Sequence, residues 1–269
     1  MLRLPAVAGR FYPGDRNELA RAVGELAPAA DAAKKIQARA CLVPHAGYMY
    51  SGHVAGAVYA RLQLPRRFLI LGPRHYPEGE ALAILSQGAW QTPLGEARID
   101  TPLAERLKRA CPLLREDSVA HRGEHSLEVQ LPFLQVLAGD FRFVPIALGT
   151  TRFGALEELG LAIAEVLAAE AEQTLIVASS DMNHYESDRI TRVKDHKAIE
   201  KLLALDARGL YDTVRAEGIS MCGYGPAVSM LTAAKNLGAS RAELVRHATS
   251  GDVTGDFDEV VGYAGLIFL

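Results

Sequence analysis

Short apolar runs rich in β-branched residues recur along the chain, each bounded by turn residues and most followed by a longer stretch with helical spacing of apolar positions. The runs are "ACLVP" from Ala40, "RFLILGP" from Arg67, "ALAILS" from Ala81, "FRFVPIALG" from Phe141, "TLIVASS" from Thr174, "AELVRHA" from Ala242 and "VVGYAGLIFL" from Val260. Several are apolar on both faces, as strands covered by helices should be. The pattern predicts an α/β fold: one domain over residues 1–269 with a central, largely parallel or mixed sheet flanked by helices. Helices are predicted over "DRNELARAVGEL", where Asp15 and Glu18 suggest a capping box, over "TPLAERLKRA" with Thr101 as cap and Pro102 in the first turn, and over "GALEELGLAIAEVLAAEA". Between Gly88 and Asp100 the Pro-Leu-Gly turn of "GAWQTPLGEARID" predicts a hairpin insert.

Composition narrows the function classes. The 269 residues are 49% hydrophobic, enough for a large core, and carry a formal net charge of −3 with no lysine or arginine block. Neither nucleic acid nor an anionic membrane is expected as a partner. No run of eighteen apolar residues occurs, and "MLRLPAVAGRFYPGD" lacks an apolar signal core, so a soluble cytoplasmic protein is expected. Cys41, Cys111 and Cys222 are odd in number and far apart, which argues against a disulfide framework.

In an open α/β sheet, ligands bind beyond the carboxyl ends of the strands, so the residues after each run are the candidates for chemistry. His45 follows "ACLVP"; Arg74 and His75 follow "RFLILG" closely; Asp181, Asn183, His184 and Tyr185 follow "TLIVASS"; Thr150 and Thr151 follow "VPIALG". Adjacent parallel strands bring such residues to one edge. His53, His121, His196 and His247 lack this setting and read as surface or helix residues. "EHSLEVQLPFL" adds His125 and Glu128, three apart and on one face if the segment is helical. Cys222 lies in "MCGYGP", ahead of a helix whose N-terminus would favour a thiolate. Two neutral imidazoles with one anionic ligand, Asp181 or Cys222, can hold a divalent metal with open positions. A metal-free alternative uses Cys222, His184 and Asp181 as nucleophile, base and orienting acid, and leaves His45 and His75 without a task.

"PAVAGRFYPG", "VPHAGYMYSG", "LGPRH", "EHSLEVQLPFL", "SSDMNHY" and "MCGYGP" occur in an order that resembles the Memo family, whose bacterial and archaeal members are called AmmeMemoRadiSam system protein B. The resemblance implies a fold similar to class III extradiol dioxygenases. It also implies metal ligation by His45, His75 and Cys222, with Asp181 and His184 lining the pocket, His184 in the acid/base position. A thiolate in place of the dioxygenases' glutamate changes the charge and redox behaviour expected, so catechol ring cleavage is not anticipated. The implied cofactor is iron(II) or copper, with zinc as a substitute. The implied partners are an unknown small molecule or peptide, a radical-SAM protein and an AMMECR-type domain protein. Two functions fit the same loops: metal-dependent redox or oxygen chemistry, or a binding pocket for an anionic or aromatic group, in which Tyr48 and Tyr50 stack, Arg74 pairs the charge, and His125 and Glu128 contribute to the lining.

Overall fold

The computed structural model describes residues 1–28 and 35–269. In chain order its elements are β1 (Leu2–Arg3), α1 (Arg16–Leu26), β2 (Ala40–Val43), α2 (Tyr48–Arg61), β3 (Arg67–Pro73), β4 (Leu82–Ile84), β5 (Ala89–Thr92), β6 (Gly95–Ile99), α3 (Thr101–Ala110), β7 (Arg115–Glu116) and α4 (Val119–Arg122). A 3-10 turn at Glu128–Gln130 leads into α5 (Leu131–Leu137), then β8 (Arg142–Leu148), α6 (Phe153–Ala168), β9 (Leu175–Ser179), β10 (His184–Glu186), α7 (Asp188–Leu203), α8 (Ala207–Ala216), α9 (Tyr224–Asn236), β11 (Ala242–Thr249), α10 (Gly251–Thr254) and β12 (Val260–Phe268). All seven apolar runs contain a strand.

The sheet is mixed, with a parallel centre in the order β6-β8-β3-β9-β2. β12 closes one side antiparallel to β2, and it also pairs with β10 and β11. β5 and β6 form the expected antiparallel hairpin, with β1 parallel to β5. Side-chain alternation divides the centre between two buried cores. Leu42, Leu69 and Leu71 face α3, α6, α7, α8 and α9, whereas Cys41, Val43, Phe68 and Ile70 face α1, α2 and α5. Both faces are thus covered, which is why the middles of these runs are apolar and polar residues fall at their ends.

Local details differ from the sequence reading in three places. The cap of α3 is Asp100, whose carboxylate accepts from the Leu103 N–H; Thr101 is already helical. Asp100 also pairs with Arg67, so one buried acid serves helix and sheet together. His247 lies on a strand, its Nε2 at 2.8 Å from the buried Asp195, and so is neither a helix residue nor freely exposed, whereas His121 is a helix residue as expected but fully buried in α4. His125 and Glu128 do not share a helix face, because the helical turn begins only at Glu128.

Candidate metal centre

Strand register builds the site. Val43 of β2 is level with Ser179 of β9, so His45 and Asp181, each two residues further on, emerge side by side. Asp181 Oδ1 accepts the backbone N–H groups of His45 at 2.7 Å and Ala46 at 3.3 Å, locking one strand-end loop to the other. β3 lies on the other side of β9 and delivers His75 to the same edge. A fourth loop, ahead of the 3-10 turn, contributes His125. It is pinned to the strand ends where Ser126 Oγ donates to the Pro73 carbonyl and Ser179 Oγ donates to the Ser126 carbonyl.

One ring nitrogen from each of His45, His75 and His125 lies within 4.8 Å of the others. The rings of His75 and His125 are stacked at 4.5 Å, and His45 meets both edge-on at 5.2 and 5.5 Å. Cys222 reaches this cluster through His45, its Sγ 3.2 Å from His45 Nε2, and accepts the Asp181 N–H at 3.3 Å. Partners behind the rings fix which nitrogen faces forward. Ser179 Oγ contacts His45 Nδ1 at 3.0 Å, and Glu124 Oε1 contacts His75 Nδ1 at 2.9 Å, so it is Nε2 of His45 that meets Cys222 Sγ. Glu124 also accepts the His75 N–H at 2.6 Å, so a single buried carboxylate sets both backbone and ring.

The electrostatics suit a metal. Burial, together with the neighbouring imidazoles, holds His45 well below the ordinary histidine value. Burial likewise lowers His125, against the pull of Glu124. Neutral rings with free lone pairs are what a metal requires. For His75, burial pulls down but the hydrogen bond and charge of Glu124 prevail and raise it. Burial and the Asp181 charge push the Cys222 thiol up, so the expected thiolate preference at the start of α9 is outweighed. A bound cation would reverse this, because a coordinated thiol ionises outright. The three imidazoles within mutual reach fit a transition metal, and the expected ligand Cys222 stands beside His45 and outside that cluster of three.

The cluster forms the floor of a cleft of about 890 Å³ lined also by Arg10, Phe11, Tyr50, Asp181, His184, Tyr185 and Tyr263. Asp181 is buried, and burial raises its carboxyl above the usual range despite the N–H groups it accepts. His184 faces the cleft with a buried Nδ1 that has no hydrogen-bond partner among the described residues.

Three residues expected at the pocket lie elsewhere. Tyr48 is buried between Tyr12 and Phe133, its hydroxyl on the Val129 carbonyl, so it has no face to offer a ligand. Arg74 donates to the carbonyls of Gly79 and Glu80, which removes the cation assigned to an anionic ligand. Glu128 is fully buried and accepts from Arg3, Ala6, Val7 and Tyr12, so it ties down the N-terminal segment. Tyr185, placed after a strand by the sequence, does line the cleft, whereas Glu124, Ser179 and Phe11 were missed as contributors. Only Glu124 carried a signal, as an acid adjacent to His125 in a glycine-led turn.

A family model described as "Memo-like protein" matches residues 3–267. The chain belongs to the Memo family. MEMO1 family proteins of Methanopyrus kandleri and Pyrobaculum aerophilum are 42% and 43% identical to this Memo chain; the alignments cover 100% and 99% of it and 99% of each relative. A MEMO1 family protein of Aquifex aeolicus is 42% identical over 100% of this chain and 99% of that relative. Among solved structures, an uncharacterized protein from Escherichia coli K12 superposes with a TM-score of 0.55 at 12% identity, covering 86% of the Memo chain and 100% of that chain. That likeness shows a shared fold. No helix among the described residues of the Memo chain is long and apolar enough to cross a membrane.

Proposed function

We propose that the cleft of this Memo protein is a mononuclear centre for redox chemistry on a small molecule, in which His45, His75 and His125 hold iron or copper and Cys222 adds a sulfur donor. The observation that carries the reading is the convergence of three imidazole nitrogens within 4.8 Å at the floor of an open cleft. Mixed imidazole and sulfur donors suit copper and iron, and zinc takes the same donors as a substitute. When bound, either redox metal supplies one-electron chemistry at the cleft floor.

The chain's own residues orient and protonate. Ser179 and Glu124 hold the His45 and His75 rings, a support of the kind that strengthens ligation. Asp181 anchors the His45 loop and keeps its second oxygen 4.0 Å from His45 Nε2. His184 lines the cleft and is the group that accepts or returns a proton from a molecule there.

Metal analysis of protein purified without oxygen tests the reading. One iron or copper per chain is expected, with loss in His45→Ala and His75→Ala. The copper(II) form is expected to show a sulfur-to-copper absorption band that Cys222→Ser abolishes while metal is retained. Wild-type protein that binds neither metal stoichiometrically overturns the proposal.

A further inference from the structure

A second group of polar side chains without partners gathers outside the cleft, in a pocket of about 280 Å³ lined by His53 of α2, Arg246 and His247 of β11, and Asp252 and Val253 of α10. The α10 turn divides the two spaces: Ser250 and Thr254 line the cleft, whereas Asp252 and Val253 line the pocket. β11 is an edge strand, paired with β12 alone among the described residues and bulged between Leu244 and Arg246.

The pocket is short of negative charge. Asp252 is the one acid among its lining residues, and both its oxygens accept from Arg192 Nη2, at 2.8 and 2.9 Å, while Oδ2 also accepts the Thr249 N–H at 2.8 Å. Arg246 and His53 make no hydrogen bond or ion pair with the described residues. Burial and the Arg246 charge hold His53 below the ordinary histidine value. His247 is fixed from behind. Its Nε2 lies 2.8 Å from Oδ2 of the fully buried Asp195, whose Oδ1 accepts the Asn183 N–H at 2.9 Å. A Cβ at Gly262 would overlap that carboxylate, so glycine makes room for it. With this counter-ion the ring can carry a second proton, and Nδ1, which has no partner among the described residues, then donates. A lone charge on an edge strand guards against unwanted pairing, which would account for Arg246 but not for His53 on another element or for the buried acid behind His247.

We propose that this pocket is a second binding site, which takes a tetrahedral oxyanion of the phosphate type, free phosphate or a soluble phosphate monoester. The Arg246 guanidinium forks onto two oxygens, and the His53 and His247 imidazoles donate to the others. The site owes nothing to the metal.

Inorganic phosphate and glycerol 3-phosphate are titrated by calorimetry into full-length protein as purified, and pelleting with phosphatidic acid vesicles is measured beside them. Wild type is expected to bind at least one of the soluble ligands. Arg246→Ala is expected to weaken it about ten- to a hundred-fold, and His53→Ala about two- to ten-fold. Arg246→Lys, which keeps the charge and loses the fork, is expected to fall between wild type and Arg246→Ala. Neither Arg246 nor His53 ties elements together, so the melting temperature without ligand is expected to hold in all three variants. His45→Ala, which disrupts the metal centre, is expected to leave phosphate affinity unchanged. Affinity that Arg246→Ala does not alter, or that His45→Ala abolishes, overturns the proposal. Binding of neither soluble ligand overturns it as well, and vesicle binding in that case would make the pocket a membrane contact.

Discussion

Glu124 and His75 titrate in opposite senses, and the sign of each decides how pH acts on the site. Burial alone would raise Glu124, but the hydrogen bonds and charge of His75 bring it down to about 2. Its contribution to stability is full above the ordinary carboxyl value of 4.5 and is lost as pH falls toward about 2. His75 is raised, so its contribution is full below 6.5 and is lost as pH rises through the raised value. A metal competes with the proton on His75, so metal binding strengthens over the range where the pair alone weakens. The rise in melting temperature caused by copper is therefore expected to grow from about pH 6 to about pH 8. Glu124→Gln removes the group that raises His75, moves that growth to lower pH, and lowers metal affinity about 10- to 100-fold through loss of the ring's support. Thermal melts with and without metal across this range, and chelator competition at its upper end, measure both effects. A pH-independent shift in wild type would show that His75 is not a ligand.

At the scale of elements, the site was legible where sequence order and spatial order coincide. His45, His75 and Asp181 each follow a largely apolar, fully buried strand, and parallel register alone brings strand ends together. His125 was seen but given a lining role, because its loop is placed by Ser126 on Pro73, a contact across 53 positions that no periodicity encodes. Tyr48 and Arg74 were misplaced for a related reason. Residue type shows what a side chain can do, whereas the first turn of α2 points Tyr48 into the core, and a local turn uses up Arg74. Gly223 shows how finely the elements meet. A Cβ there would collide with the Ser179 carbonyl and the Ser180 side chain, so only glycine lets the Cys222 turn rest on the end of β9. Gly223→Ala is expected to cost about 1–3 kcal/mol of stability, a typical overpacking penalty. Because the imidazoles stand on other loops, the variant is expected to bind copper but lose the sulfur-to-copper band. Absorption spectra of the two copper forms decide this; an unchanged band would mean the turn tolerates the side chain.

At the scale of the whole molecule, one buried carboxylate joins the N-terminal segment to the sheet edge. Glu128 accepts from Arg3 Nη1 at 2.7 Å, the N–H groups of Ala6 at 2.8 Å and Val7 at 3.0 Å, and the Tyr12 hydroxyl at 2.6 Å. Arg3 in turn donates to the His121 and Glu124 carbonyls and lies 4.0 Å from the Trp90 ring centroid. Beyond this knot the segment carries Phe11 onto His125 at 4.8 Å, and the Phe11 carbonyl accepts the Tyr48 N–H. The wall of the cleft therefore depends on Glu128, although Glu128 does not line it. Glu128→Ala leaves the Arg3 guanidinium buried without its counter-ion and strands several donors, so a loss of about 3–5 kcal/mol is expected in denaturant unfolding. The parallel centre of the sheet does not rest on this knot, and His45, His75 and Asp181 leave from its strand ends. The variant is thus expected to keep its metal at low temperature while the first dozen residues become the earliest site of proteolytic cleavage. A variant within about 1 kcal/mol of wild type would place the knot among ion pairs of little consequence and leave the cleft wall held by Phe11 packing alone.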